Sequence, residues 1–376
     1  MLSKLMVAIL ALCATLGLAA CGSDLGGGGR EGDVTVAEAE GKASGDLTVS
    51  NWPLYIDEKT KGEFEQESGV KLEYIEDVND NNEFFSKLQP NLQEGESAGR
   101  SIMVVTDWMA KKMYDLGYLQ EFDKEAIPNV TENLAPTLES PSFDPDRAFS
   151  APWQGGMTGL IVNKAEAPDV ESINDLFDPK YKGKVTVLTE LRDTVPLVMK
   201  ADGVDVENAT AEDWNAAIDR LSEAIKSGQI RDFTGNDYAD DFARGDVSAA
   251  IGWSGDAVQL SADDPDIEWR MPTEGCIQWS DNMVIPVGAP NPEAAYAFMD
   301  YVYDPENQAQ IADYNYYVTP VDGVQEILEK QGSDAAKSDL VFPSEEFTAD
   351  CSSQPDPPEA DAKEIEQNFQ NVITGG

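Results

Sequence analysis

Residues 47–75 read LTVSNWPLYIDEKTKGEFEQESGVKLEYI. Leu47–Asn51 alternates as a short strand, Asp57–Ser68 reads as a helix stopped by Gly69, and Val70–Ile75 reads as a second strand. The same rhythm continues outward. A helix is expected near Asn82–Gln93, a strand over Ile102–Thr106, and a helix over Asp107–Leu116 stopped by Gly117. Short strands alternating with helices point to a parallel α/β sheet.

Beyond Pro152 a second α/β unit begins. Gly159–Asn163 reads as a strand. The turn-rich segment Asp178–Lys184 leads into a strand at Val185–Thr189, and helices are expected over Val195–Ala201 and Ala211–Ser227. In the latter, Trp214, Ile218, Leu221 and Ile225 fall on one face at helical spacing, which marks them as core. Val247–Trp253 reads as a buried strand, Asn282–Pro286 as another, and Pro292–Tyr303 as a helix; the remainder reads as helical. Two α/β units joined by crossing connections leave a cleft between them. Ligands of open α/β sheets gather at the carboxyl ends of strands.

The 376 residues carry 26 Lys and Arg against 71 Asp and Glu, a formal charge of −45. A surface of that sign repels nucleic acid and anionic lipid and attracts cations. The chain contains no His. That absence removes Ser-His-Asp and Cys-His nucleophile systems, HExxH zinc sites and imidazole acid–base chemistry. Neither GxxxxGK[ST] nor a strand-to-helix GxGxxG is present, so the usual phosphate cradles are missing as well. No cofactor or metal is expected. Asp77–Asn82 begins like a calcium loop, but Asn82 replaces the glycine and Leu88 the bidentate Glu, so it reads as a solvated, helix-capping run. The acidic stretch Ala262–Asp266 reads as a surface turn, and Pro355–Glu366 as a solvated segment before a last helix.

Met1–Ala20 has one charge, Lys4, and an apolar run that reads as an export signal. Its end, Leu18-Ala19-Ala20-Cys21, resembles a bacterial lipobox. By that resemblance Cys21 becomes the first mature residue and carries the acyl chains of a membrane anchor. Residues 21–45 read as a flexible, glycine-rich linker, and the folded body starts near Asp46. With Cys13 removed and Cys21 acylated, Cys276 and Cys351 remain. Outside the cytoplasm an even remainder favours one disulfide, with two buried free thiols as the alternative.

Of seven tryptophans, Trp52, Trp108, Trp253 and Trp279 fall at or just beyond expected strands, each near an acid or a Tyr. Aromatic faces attract cations, and carboxylates answer ammonium groups with charge-assisted hydrogen bonds. A slot with aromatic walls and separated acids suits a thin, multiply charged alkylamine. Sugars also stack on Trp, so the aromatics alone do not decide between them.

The segments Val49–Ile56 (VSNWPLYI), Met103–Thr106 with Trp108, Asp178–Glu190 (DPKYKGKVTVLTE), Ile251–Asp256 (IGWSGD) and Ile277–Pro286 (IQWSDNMVIP) carry a resemblance. They are similar to the substrate-binding proteins of bacterial spermidine/putrescine ABC transporters, over about Asp46 to Pro320. The resemblance implies the type II periplasmic-binding-protein fold, with two α/β lobes, a hinge and an interlobe cleft. Lobe 1 would comprise 46–155 plus about 277–310, and lobe 2 would comprise 156–276 plus about 311–376. Carried over motif by motif, the ligand-binding residues would be Trp52, Tyr55, Thr106, Trp108, Asp193, Trp253, Asp256, Trp279, Asp281 and Tyr317. Glu190 rivals Asp193, because the match needs a one-residue gap there. Pro53 departs from the hydroxyl residue frequent in the family, and no ligand contact is assigned beyond Pro320.

The expected protein is therefore no enzyme. It is an exported, lipid-anchored monomeric receptor that closes on a polyamine, putrescine or spermidine, and delivers it to permease subunits. IGWSGD leans toward the shorter diamine. The alternatives are a sugar receptor of the same fold and a secreted carbohydrate-active enzyme with paired acids.

Overall fold

The computed structural model describes residues 35–39 and 41–375. The expected export signal Met1–Ala20 and the expected lipidation site Cys21 lie outside them. Twelve strands occur in the described chain: β1 Val36–Ala37, β2 Asp46–Asn51, β3 Lys71–Glu76, β4 Ile102–Thr106, β5 Leu119–Phe122, β6 Ala151–Asn163, β7 Val185–Leu188, β8 Asp232–Thr234, β9 Ala249–Trp253, β10 Ile267–Arg270, β11 Ile277–Pro286 and β12 Ser352–Ser353. Their main order is β3-β2-β4-β11-β6-β9-β7-β8.

The sheet is mixed rather than parallel. β2 runs parallel to β3 and β4, and β7 runs parallel to β8 and β9. These two parallel groups are joined by β6 and β11, which pair antiparallel with each other and with β9 and β4 respectively. Each long strand thus belongs to both halves. Neither was legible at full length: β6 starts at Ala151 rather than Gly159, and β11 starts at Ile277 rather than Asn282. Gly155 and Gly156 mask the first half of β6, because glycine carries no strand signal. They are needed there: a Cβ on Gly156 would stand 2.4 Å from the Trp279 ring, which lies directly on the strand.

Local chemistry accounts for the helices. Asp57 caps Glu58–Ser68 by accepting from the Thr60 amide at 2.9 Å, and Gly69 closes it at φ 76°. Thr210 and Asp213 form a reciprocal capping box at the start of Ala211–Ser227, and Gly228 ends it at φ 71°. Trp214, Ile218 and Leu221 of that helix are buried in the core, while Ile225 is half-buried against it. Each fully buried side chain of this size stabilises the fold by roughly 1.5–3 kcal/mol. The helix following β7 begins at Leu191, four residues before its expected start, which carries Asp193 into its first turn.

Two further expectations are corrected. The linker does not extend to residue 45, because β1 pairs with β5 and Ala37 is buried where Tyr296 donates to its carbonyl at 2.6 Å. The Asp77–Asn82 run does cap a helix, Asp80 accepting from the Glu83 amide, but it is not solvated: Asp80 and Asn81 are buried. Among the described residues no helix is long and apolar enough to cross a membrane.

Candidate functional site

The carboxyl ends of β2, β4, β7 and β9 converge on one slot. Trp52 follows β2, Thr106 ends β4, Glu190 and Asp193 follow β7, and Trp253 ends β9 with Asp256 in the next helical turn. Asp281 sits within β11, where the pairing with β6 slips by one residue between Asp281 and Asn282. A slip of this kind re-aims a side chain, and here it accompanies an acid at the meeting point of the two halves.

Fourteen residues line the slot. Nine are residues expected from the sequence: Trp52, Tyr55, Thr106, Asp193, Trp253, Asp256, Trp279, Asp281 and Tyr317. Asn81, Glu190, Asn236, Gln354 and Pro53 complete the lining, with no Lys or Arg among them. The rival acids Asp193 and Glu190 both face the cavity.

Trp108 is not brought into this cluster. It stands in the second position of the helix that follows β4, and the Arg192 guanidinium covers its ring at 4.0 Å. Arg192 is held in turn by Asp356 at 2.8 Å and Glu366 at 3.5 Å. Trp108 thus supports the residue beside Asp193 instead of presenting its face to the slot.

Three carboxylates have separate donor sets. Asp281 accepts from the Tyr55 hydroxyl at 2.9 Å and the Thr106 hydroxyl at 2.8 Å. Asp256 accepts from Tyr238 and Tyr317 hydroxyls, both at 2.6 Å, and from the Asn236 amide at 2.8 Å. Asp193 accepts from the Trp253 indole at 3.2 Å and the Gln354 amide at 2.8 Å. Asn81 donates to Glu190 through its backbone at 2.6 Å and its side chain at 2.8 Å, and to Thr106 at 2.8 Å.

Aromatic rings separate these groups. Trp52 and Trp253 meet edge to face at 5.6 Å, Tyr55 meets Tyr317 at 4.9 Å, and Trp279 lies 5.6 Å from Tyr317. The Trp279 indole is fixed by Thr158 at 3.0 Å.

Burial makes the negative charge of these acids unfavourable. It pushes Asp281 up to about 7 against the opposing hydrogen bonds of Thr106 and Tyr55, and Asp193 up to about 6 against those of Gln354 and Trp253. Asp256 is also raised by burial despite its three donors. Glu190 is raised well above the carboxylate range, first by burial and then by the charges of Asp80 and Asp193. Four buried acids without an internal cation favour a ligand that brings positive charge.

Asn81, Asn236 and Gln354 escaped sequence reasoning because single amides in caps and loops have no periodicity. The polar cap run containing Asn81 was the nearest available signal. Gln354 lies in the tail, beyond the matched segments.

The bacterial extracellular solute-binding protein family model matches residues 59–342. The spermidine/putrescine-binding periplasmic protein of Escherichia coli K12 is 27% identical over 305 residues, covering 80% of this chain and 84% of that protein. The putrescine-binding periplasmic protein PotF of the same organism is 30% identical over 291 residues, covering 72% and 76% respectively. A solved chain from Listeria monocytogenes, described as a candidate spermidine/putrescine ABC transporter, has 26% identity and a TM-score of 0.77, covering 88% of this chain and 99% of that one.

Proposed function

The chain belongs to the bacterial extracellular solute-binding proteins, and from that premise we propose that it binds a polyamine, putrescine or spermidine, and delivers it to the permease of an ABC transporter. It is a binding protein, not an enzyme, so the carbohydrate-active enzyme reading falls with the family assignment. The observation that carries the ligand class is the slot itself: Asp193, Asp256, Asp281 and Glu190 are buried without a basic side chain in the lining, between aromatic walls. Ammonium groups meet the acids, and the methylenes between them lie on Trp52, Trp253 and Trp279. Lobes assigned as 46–155 with 277–310 and 156–276 with 311–376 would close by bending at β6 and β11. Closure excludes water and strengthens each ion pair.

Selectivity follows from the cost of unpaired charge. An amine neutralised at one end leaves a buried carboxylate without its partner, which costs several kcal/mol. Export, a lipid anchor at Cys21 and action as a monomer complete the proposal.

Calorimetric titration of the protein from Val36 onward with putrescine and spermidine tests it, with maltose as control. One-to-one binding of an amine, weakening with salt and with Asp281→Asn, is the expected result. Heat with maltose alone would move the aromatic walls to sugar recognition.

A further inference from the structure

Resting on the polyamine reading, we propose that the Cys276–Cys351 disulfide sets ligand affinity by holding Gln354 in the wall of the slot. The cross-link joins the residue just before β11 to the residue just before β12. Gln354 lies three positions beyond Cys351 and donates to Asp193 at 2.8 Å.

Besides the cross-link, the strap carrying Gln354 is held by half-buried Lys200, which donates to the Asp350 carbonyl at 2.9 Å and to the Ser352 hydroxyl at 3.1 Å, and by a short ladder. β12 is two residues long and pairs with Ile277 and Gln278. The Ser352 amide donates to the Cys276 carbonyl at 3.0 Å, and the Gln354 amide donates to the Gln278 carbonyl at 2.9 Å. A two-residue ladder at a sheet margin frays readily. On the far side Asp356, two positions beyond Gln354, pairs at 2.8 Å with Arg192, whose own side chain is buried, so the strap is anchored by this pair after Gln354 and by the disulfide before it.

The packing at the cross-link is close and specific. Gly275 stands at φ 85°, and a Cβ there would collide with the Asp350 carbonyl. The strap is therefore drawn tight against the start of β11. It reaches the slot alongside the start of β11, the strand that carries Trp279 and Asp281.

Gln354 also separates two spaces. Together with Trp279 it lines both the slot and a neighbouring pocket open to solvent. With the strap released, Asp193 keeps the Trp253 indole as its donor among these two and gains access to water on the Gln354 side. An ammonium paired with Asp193 then sits in a higher dielectric and binds less tightly.

The test compares Gln354→Ala, the Cys276→Ala/Cys351→Ala pair and the combined triple variant by calorimetry with putrescine and spermidine. Gln354→Ala and the cysteine pair are each expected to weaken the better-bound amine about fivefold to tenfold, the scale of one ordinary hydrogen bond. If the clamp acts through Gln354, the triple variant is no weaker than Gln354→Ala alone; a disulfide that only stabilises the fold would instead leave amine affinity unchanged or add its own loss.

Should the cysteine pair fail to fold, dithiothreitol opens the strap in the folded protein. Its two thiols give two electrons and two protons to the disulfide, leaving two cysteine thiols and the cyclic disulfide of the reagent. Hydrogen exchange at the Ser352 and Gln354 amides reads the clamp without ligand, and protection is expected to be lost on opening. Retained protection overturns the clamp, whereas absence of amine binding by the intact protein overturns the polyamine reading.

Discussion

Replacing Asp281 with Asn should weaken the ligand and strengthen the empty protein. The two shapes are nearly equal, so the substitution removes charge more than volume. Asp281 is 3% exposed and its carboxyl is held at about 7. In the unfolded chain an Asp titrates near 3.9, and each unit of difference corresponds to about 1.36 kcal/mol, so ionising the buried group costs on the order of 4 kcal/mol. The folded state binds the extra proton between these two values. The favourable contribution is therefore complete below about pH 4 and lost as pH rises through about 7. Asn cannot ionise and escapes that loss. Its amide keeps an acceptor and gains a donor beside the Tyr55 and Thr106 hydroxyls, which must reorient, so a net gain of about 1–2 kcal/mol at pH 8 is expected after that relaxation. Near pH 5 the gain should vanish or reverse. Urea unfolding of the ligand-free proteins at both pH values measures it. Calorimetry should show polyamine affinity reduced by about a hundredfold or more, as expected for loss of one partner of a buried charge pair. A variant destabilised equally at both pH values would refute the strain assigned to the buried carboxylate.

Binding near pH 6.5 should release protons, because ammonium groups return the protonated fractions of Asp281 and Asp193 to the ionised state; heats measured in buffers of different ionisation enthalpy would show this, and affinity should fall as pH drops through 7 and 6. Gly156→Ala should cost about tenfold or more in affinity, since the added methyl occupies the place of the Trp279 ring; unchanged indole fluorescence and unchanged affinity would contradict that packing. Trp108→Ala should change polyamine affinity less than about threefold, whereas Trp253→Ala should cost tenfold or more, the scale of a lost cation–aromatic contact with an indole donor; equal effects of the two would return Trp108 to the slot.

The strand-end pattern singled out Trp52, Trp253 and Trp279 with acids or a Tyr nearby, since the sheet itself fixes which end faces the cleft; the places of Thr106, Asp193, Asp256, Asp281 and Tyr317 came from the resemblance. Trp108 shared the pattern but not the outcome. Its helix starts immediately after β4, so the second helical position carries the ring toward Arg192, whereas Trp253 remains the last residue of its strand. The first halves of β6 and β11 were illegible because their residues serve a ring and an acid rather than alternation. Gln354 was out of reach for another reason: its place depends on a disulfide and a two-residue ladder that no local pattern announces.

The formal charge of −45 and the four buried acids act on the ligand in different ways. Surface carboxylates are screened over about 10 Å at 0.1 M salt, so they raise the rate at which a cation arrives and lose that effect as salt is added. Acids inside the slot are shielded from salt, and they govern how long the ligand stays. They are also the groups whose charge the empty protein accommodates poorly. A cation of the right spacing removes that cost as it binds, which a neutral sugar cannot do. On the proposed reading, the selectivity of the cleft and the strain of its empty state have one cause, the absence of Lys or Arg from a lining that holds Asp193, Asp256, Asp281 and Glu190. Placing a Lys in that lining would relieve the strain and abolish the reason to bind.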